Sequence, residues 1–284
     1  MSEGVTQLFS NEYPPLLREI PQPPKHINIR GVMPSYDLKF LTVVGARAVT
    51  SYGESVIKHL FKGLAGYPIV IVSGLAYGVD TLAHNAALEN NLLTIGVPGS
   101  GLDWNVLYPR VNVSLARRIL ESNGALISEF ENNLRAADWS FPKRNRIMAG
   151  MSHATLMIEA REKSGSLITA KLATDFNREL LVVPGSIFSN ESRGTHQFLK
   201  LGATAVTESN DILRALGLVE QTRDIFRADM SEAEIRVLNL VASPIHREQL
   251  IEQLALPITE VQVLLTTMEL KGLIVEELGF VRAG

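Results

Sequence analysis

Six short apolar runs constrain this chain more than any other feature: Phe40–Val44, Ile69–Val72, Leu93–Val97, Ala125–Ser128, Ala154–Ile158 and Leu180–Val183. Each ends in glycine or a small polar residue, and each precedes a stretch of helical character. Continuous apolar runs of this length suit strands buried on both faces, where no solvent face demands alternation. Strands alternating with helices predict an α/β fold: an extended Rossmann-like, doubly wound, mostly parallel sheet. In such sheets a ligand lies beyond the carboxyl ends of the strands. The turns to read are therefore Gly45-Ala46-Arg47, Ser73-Gly74-Leu75, Pro98-Gly99-Ser100-Gly101, Ser128-Glu129, Glu159-Ala160 and Pro184-Gly185.

On either side of this core the pattern changes. Residues 1–36 are rich in proline, which fixes φ and removes donors, and they predict a short helix or turn followed by an extended lead-in. After a break around residues 217–228, residues 231–242, 246–254 and 258–271 read as three short helices. Two strand candidates follow, Leu273–Glu276 and Phe280–Arg282, around Gly279. That order predicts a small winged-helix domain. The expected organisation is a lead-in over 1–36, a Rossmann-like domain over 37–217, a linker over 218–228 and a winged-helix-like domain over 229–284. A chain of 284 residues suits one large domain and one small one.

Composition narrows the chemistry. At 46% hydrophobic and 20% charged residues, the chain can bury a sizeable core. The absence of cysteine excludes a disulfide framework, cysteine-ligated zinc or iron–sulfur, and a cysteine nucleophile. No basic segment followed by an apolar one opens the chain, and no apolar run reaches the ~18 residues of a membrane span. The expectation is a cytoplasmic protein with no membrane partner. The net charge of −3 hides a division. Residues 36–212 carry 17 Lys/Arg against 16 Asp/Glu, and residues 226–284 carry 5 against 9. A nucleic-acid surface here must be a local cluster rather than a global field.

Four turns offer such a cluster. Gly45 permits close backbone approach and Arg47 adds a phosphate fork, ahead of a helix opened by Thr50 to Gly53. This is neither a GxGxxG fingerprint nor a GxxxxGK[ST] loop. Ser73 and Gly74 open a second turn that ends in Asp80, with His84 four residues on. That pair has the spacing of metal ligands or an acid–base couple, but no third ligand is visible. The simpler reading is that Asp80 charges the helix start and His84 bonds locally. Phe141, Lys143, Arg144, Asn145 and Arg146 place three cations and an amide in the first turn of a helix, where cations oppose the dipole. The cluster asks for an anion, and Phe141 offers a face for a base. Ser164, Gly165 and Ser166 lead small residues and hydroxyls into a helix that carries Lys171. Each turn alone is ordinary for the fold; their convergence at the carboxyl ends of one sheet is the signal. No metal site and no cofactor is expected.

These same stretches carry a resemblance. VVGARAVTSYG (43–53), SGLAYGVDTLAH (73–84), YPRVN (108–112), ISEF (127–130), FPKRNRIMAGMS (141–152), EAREKSGSLITA (159–170), PG (184–185) and RGTHQFLKLGA (193–203) resemble, in order, the DNA processing protein A family (DprA/Smf) over roughly residues 13–212. The resemblance implies a non-catalytic core that binds single-stranded DNA, forms homodimers and loads the RecA recombinase onto incoming DNA in natural transformation. Carried over by position, Arg47 holds a phosphate, Ser73 and Gly74 line the second turn, and Arg110 with Asn112 extends the basic track. Phe141 stacks a base, Lys143, Arg144 and Arg146 surround the strand, and Ser164 to Ser166 with Lys171 close the pocket. Three features depart from the family pattern. Ala46 stands where serine is frequent, 36 residues leave little room for the N-terminal helical domain of many members, and Pro257–Lys271 sets Glu260 and Glu269 against Lys271 alone. Two other readings stay open: a nucleotide-cleaving enzyme resembling the phosphoribohydrolases, and a winged-helix regulator with a ligand-sensing core.

Overall fold

The apolar runs assemble into one large sheet. The computed structural model describes residues 4–218, 231–241, 245–254, 256–271, 273–277 and 279–283. The chain divides into two units, Met1–Val219 and Glu220–Gly284. In the first, the strands are β1 (Thr6–Phe9), β2 (His26–Gly31), β3 (Lys39–Val44), β4 (Ile69–Ser73), β5 (Leu93–Gly96), β6 (Ala125–Ser128), β7 (Ala154–Met157), β8 (Glu179–Val182) and β9 (Thr204–Ala205). The helices are α1 (Pro15–Arg18), α2 (Ser51–Lys62), α3 (Val79–Glu89), α4 (Val113–Glu121), α5 (Ser140–Met151), α6 (Ser166–Asp175), α7 (Arg193–Lys200) and α8 (Ser209–Ala215). The order across the sheet is β1-β2-β6-β5-β4-β3-β7-β8-β9, parallel from β6 to β9.

The runs are continuous because both faces are covered. Leu41, Val43, Ile69, Ile71 and Leu156 point into a core with residues of α2, α3 and α8. Phe40, Val44, Val70, Val72 and Met157 point the other way, into a core with residues of α1, α5 and α6. Period-two alternation thus places apolar groups on both sides, each fully buried Val, Leu or Ile contributing about 1.5–3 kcal/mol. The chain runs outward from β3 through β4, β5 and β6, then returns to β7 on the other side of β3. The switch point between β3 and β7 leaves a crevice at their carboxyl ends.

Of the proline-rich stretch, residues 6–9 and 26–31 are strands of the sheet rather than a lead-in that stands apart from it. β2 pairs antiparallel with β6 (Ile29 opposite Ile127), and β1 pairs antiparallel with β2. Tyr13, Leu17, Ile20, Ile27 and Ile29 are buried in the α5 side of the core. Their prolines bracket the elements: Pro15 begins α1, and the Pro24 carbonyl accepts the Tyr13 hydroxyl at 3.1 Å.

The second unit contains α9 (Glu232–Leu240), β10 (Ile245–His246), α10 (Arg247–Leu254), α11 (Ile258–Leu270), β11 (Ile274–Glu277) and β12 (Phe280–Ala283). Its sheet has the order β10-β12-β11, antiparallel throughout, and Gly279 turns between the last two strands at φ +82°. This is a winged helix. β10, two residues long, had no signal in the sequence. Residues 219–228 of the expected linker lie outside the described residues. Among the described residues no helix is long and apolar enough to cross a membrane.

Candidate nucleic-acid interface

A cavity of about 520 Å³ opens at the carboxyl ends of β3, β4 and β7, beside the switch point. Its walls are the turn after β3, the turn after β4, the first two turns of α5 and the loop from β7 into α6. The first two turns are locked together. A Cβ on Gly45 would lie 2.6 Å from Val79 Cγ2. Gly78 has φ +74°, and a Cβ there would meet the Ala46 and Arg47 carbonyl oxygens, while the Val79 amide donates to the Ala46 carbonyl at 3.1 Å. Asn112 supports the second turn from behind. Its buried amide donates to the Leu75 carbonyl and the Thr81 hydroxyl, both at 2.8 Å. Ser73 is fully buried and donates to the Val43 carbonyl at 2.7 Å. Ser73 and Asn112 therefore shape the loops from within, and Arg110 ties its own loop to the Trp104 carbonyl.

Helix α5 sorts its cations by helical phase. Phe141, Arg144, Asn145 and Met148 follow the i, i+3, i+4, i+7 spacing of one face and line the cavity. Lys143 and Arg146 lie on the neighbouring face and turn to Glu129 at the end of β6, at 3.7 and 2.6 Å. Arg144 is 5% exposed and its Nη1 donates to the Val97 carbonyl at 2.6 Å. It occupies the space a side chain at Gly74 would take, since a Cβ there would sit 1.6 Å from Nη1. The glycine is required by the arginine. Burial lowers the Arg144 pKa to about 10, with nearby Asp80 acting against that shift and Arg47 adding to it. Asp80 is itself raised by burial, opposed by Arg144 and by the backbone amides of Ala76 and Gly74.

The remaining wall carries Ser164, Gly165 and Ser166. The two hydroxyls are 2.6 Å apart, Gly165 stands in open space, and Ser166 begins α6, whose first amides are taken up by Ser164 and Gly165. Lys171 is exposed on α6 and is not part of the wall. Two cations missed from sequence are: Arg161, paired with Glu191 at 2.6 Å, and Lys163. Both lie inside the quoted EAREKSG stretch, whose basic residues were the available signal. Among the described residues neither Arg47 nor Lys163 makes an ion pair. Arg47 stands with Cζ 5.2 Å over the half-buried Phe141 ring. Four cations and two carboxylates wall the cavity; Arg161 is ion-paired, Arg144 is buried against a carbonyl, and Arg47 and Lys163 are left for an anion.

The Asp80–His84 pair serves the fold. The Ala76 amide donates to Asp80 at 3.2 Å. His84 lies 2.7 Å from the Thr94 hydroxyl, which donates to the Ile71 carbonyl at 2.9 Å, so His84 Nδ1 carries the proton between them. Burial lowers the His84 pKa to about 3, leaving the ring neutral. A further buried carboxylate, Glu159 at the end of β7, accepts the Thr50 amide at 3.0 Å and the Thr50 hydroxyl at 2.5 Å, and so anchors the start of α2. Among the described residues no group of three His, Asp or Glu side chains is placed to hold a metal ion.

Comparison with known proteins matches this architecture. The family model of DNA recombination-mediator protein A matches residues 4–217, and that of the DprA winged helix domain matches residues 227–279. The chain is 41% identical over 207 residues to protein Smf of Escherichia coli, spanning 73% of this chain and 55% of that protein, about half its length. It is 37% identical over 210 residues to DNA processing protein DprA of Bacillus subtilis, spanning 74% and 70%. Among solved structures, DNA processing protein A from Streptococcus pneumoniae superposes with a TM-score of 0.67 at 35% identity, covering 74% of this chain and 73% of that one. DNA processing protein A from Helicobacter pylori, described for its unique single-stranded-DNA binding mode, superposes with a TM-score of 0.67 at 29% identity, covering 75% and 95%.

Proposed function

This chain belongs to the DNA recombination-mediator protein A family, and from that premise we propose that its cavity grips single-stranded DNA by the phosphates during DNA processing in natural transformation. The carrying observation is the pair of unpaired cations, Arg47 and Lys163, beside the first turn of α6 at the switch point of the sheet. Guanidinium and ammonium groups are the donors a phosphate takes, and the Ser164 and Ser166 hydroxyls stand beside them. The single-stranded-DNA binding of the Helicobacter pylori relative supports the same reading. Arg144 and Asn145 form the floor, Phe141 holds Arg47 over the opening, and the strand is held with little sequence preference.

The protein works without covalent chemistry, as a homodimer that delivers the strand to the RecA recombinase. Two committed carboxylates support the absence of catalysis: Asp80 is engaged by a backbone amide and Glu159 by Thr50. The winged helix is a protein-interaction module. The exposed side of α11 presents Glu260 and Glu269, and Lys271 is paired with Glu234 at 2.8 Å, so no free cation of that helix faces a phosphate among the described residues.

Photo-crosslinking tests this assignment. An oligo-dT carrying bromodeoxyuridine should mark peptides containing residues 45–47, 141–148 and 161–166. Crosslinks confined to residues 229–284, or release of free base from nucleoside monophosphates by the purified protein, would overturn it.

A further inference from the structure

Two aromatic rings beside the cavity are left unused by a grip on phosphates alone. Tyr77, between β4 and α3, is 45% exposed and lines the cavity; Tyr108, in the loop before α4, is 39% exposed. Their ring centroids lie 6.4 Å apart at 89°, and Tyr108 lies 6.0 Å from Phe141 at a tilt of 58°. Tyr108 thus stands between the other two rings; Tyr77 and Phe141 are walls of the cavity and Tyr108 is not. Phe141 is largely used up: Arg47 stands over it, and a Cβ on Gly99 would come within 2.6 Å of its Cδ1. Tyr77 and Tyr108 keep their surface. Their loops are held firmly, the first by Asn112 through the Leu75 and Ala76 carbonyls, the second by Arg110 through the Trp104 carbonyl. Rigid, exposed rings lose little freedom when a flat ligand stacks on them.

We infer that Tyr77 and Tyr108 form a base-stacking corner at the rim of the phosphate cavity, on which the bases of a single strand lie while its phosphates are held inside. The inference rests on the phosphate-grip reading and adds a base-binding surface to it. The occupant is the strand held in the cavity, because Tyr77 is a wall of that cavity and because exposed cations accompany the rings, Arg47 over Phe141 and Arg110 two residues from Tyr108. Two rings at right angles wall a corner in which a base lying on one has the other at its edge. Since every base has a π-face, such a corner is indifferent to sequence.

The test uses the full chain and two probes of equal length: oligo-dT, and the same sugar–phosphate chain without bases. Wild-type protein should prefer oligo-dT. Tyr77→Ala and Tyr108→Ala should each weaken oligo-dT binding about fivefold or more, the lower end of one lost stacked base. Both should weaken oligo-dT binding more than binding of the abasic chain and leave the salt slope unchanged, since neither ring carries a charge. Tyr77→Phe and Tyr108→Phe should bind as wild type, because the ring and not the hydroxyl is used. Alanine variants that keep the full preference for oligo-dT would overturn the corner, as would variants that lose both probes equally. Wild-type protein that binds neither probe would instead overturn the phosphate grip, and the corner with it.

Discussion

Adding a single methyl group at Gly74 should destabilise the protein through a side chain seventy residues away. In Gly74→Ala the new Cβ would lie 1.6 Å from Arg144 Nη1 and 2.4 Å from Cζ, so the guanidinium must retreat by about 2 Å to reach ordinary contact. It has no free direction, being 5% exposed and bonded to the Val97 carbonyl at 2.6 Å. Losing a charged hydrogen bond costs about 1.5–3 kcal/mol, and overpacking costs about 1–3 kcal/mol. Together they amount to about 2.5–6 kcal/mol. At roughly 2–4 °C per kcal/mol for a unit of this size, the melting temperature should fall by about 10 °C. Circular dichroism melts and urea titration of Gly74→Ala, Arg144→Ala and the double variant decide the cause. With the arginine removed, the three atoms nearest the methyl group are gone, so in that background it should cost no more than about 1 kcal/mol. An unchanged melt for Gly74→Ala, or strictly additive costs in the double variant, would refute the seat assigned to Arg144.

Three further outcomes are expected. His84 is held neutral, its folded pKa of about 3 lying below the ordinary 6.5, so the unfolded chain binds the proton first and stability falls as the pH drops below 6.5. Wild-type protein should therefore lose about 2 kcal/mol more than His84→Gln between pH 7.5 and 5 in urea titrations; equal losses would show that His84 is not buried neutral. Arg47→Ala and Lys163→Ala should each weaken oligo-dT binding and flatten its salt slope by about 0.7, while Lys143→Ala, whose cation faces Glu129, should change the slope little; titrations at several salt concentrations check both. A fragment ending at residue 225 should keep most of the single-strand affinity, and retention of less than a tenth by a folded fragment would move the site into the winged helix.

The strands β3 to β8 were legible because burial on both faces writes itself as unbroken apolar residues such as those from Phe40 to Val44. β1 and β2 were not, because what makes them strands is their pairing with each other and of β2 with β6, nearly a hundred residues away, while their local signal is proline. Two-residue strands such as β9 and β10 carry no periodicity at all. In the site, the residues that helical spacing brings together, Phe141 with Arg144 and Asn145, could be read as one face. The diversion of Lys143 and Arg146 depends on Glu129, whose position follows from the sheet and not from the sequence around α5. The same holds for Gly74, whose place among phosphate-lining residues was natural for a turn glycine, and whose absent side chain is filled by Arg144. Tyr77 and Tyr108 lay within quoted stretches, but only the fold sets them against Phe141.

This fold is expected to hold a single strand by its phosphates, with exposed bases against aromatic rings. Equilibrium binding of the full chain to labelled oligo-dT and to duplex of equal length, over a series of salt concentrations, tests it most directly. Oligo-dT should bind well above duplex, with log affinity falling against log salt by about 0.7 for each phosphate neutralised. Equal affinity for duplex, or affinity that does not change with salt, would contradict it.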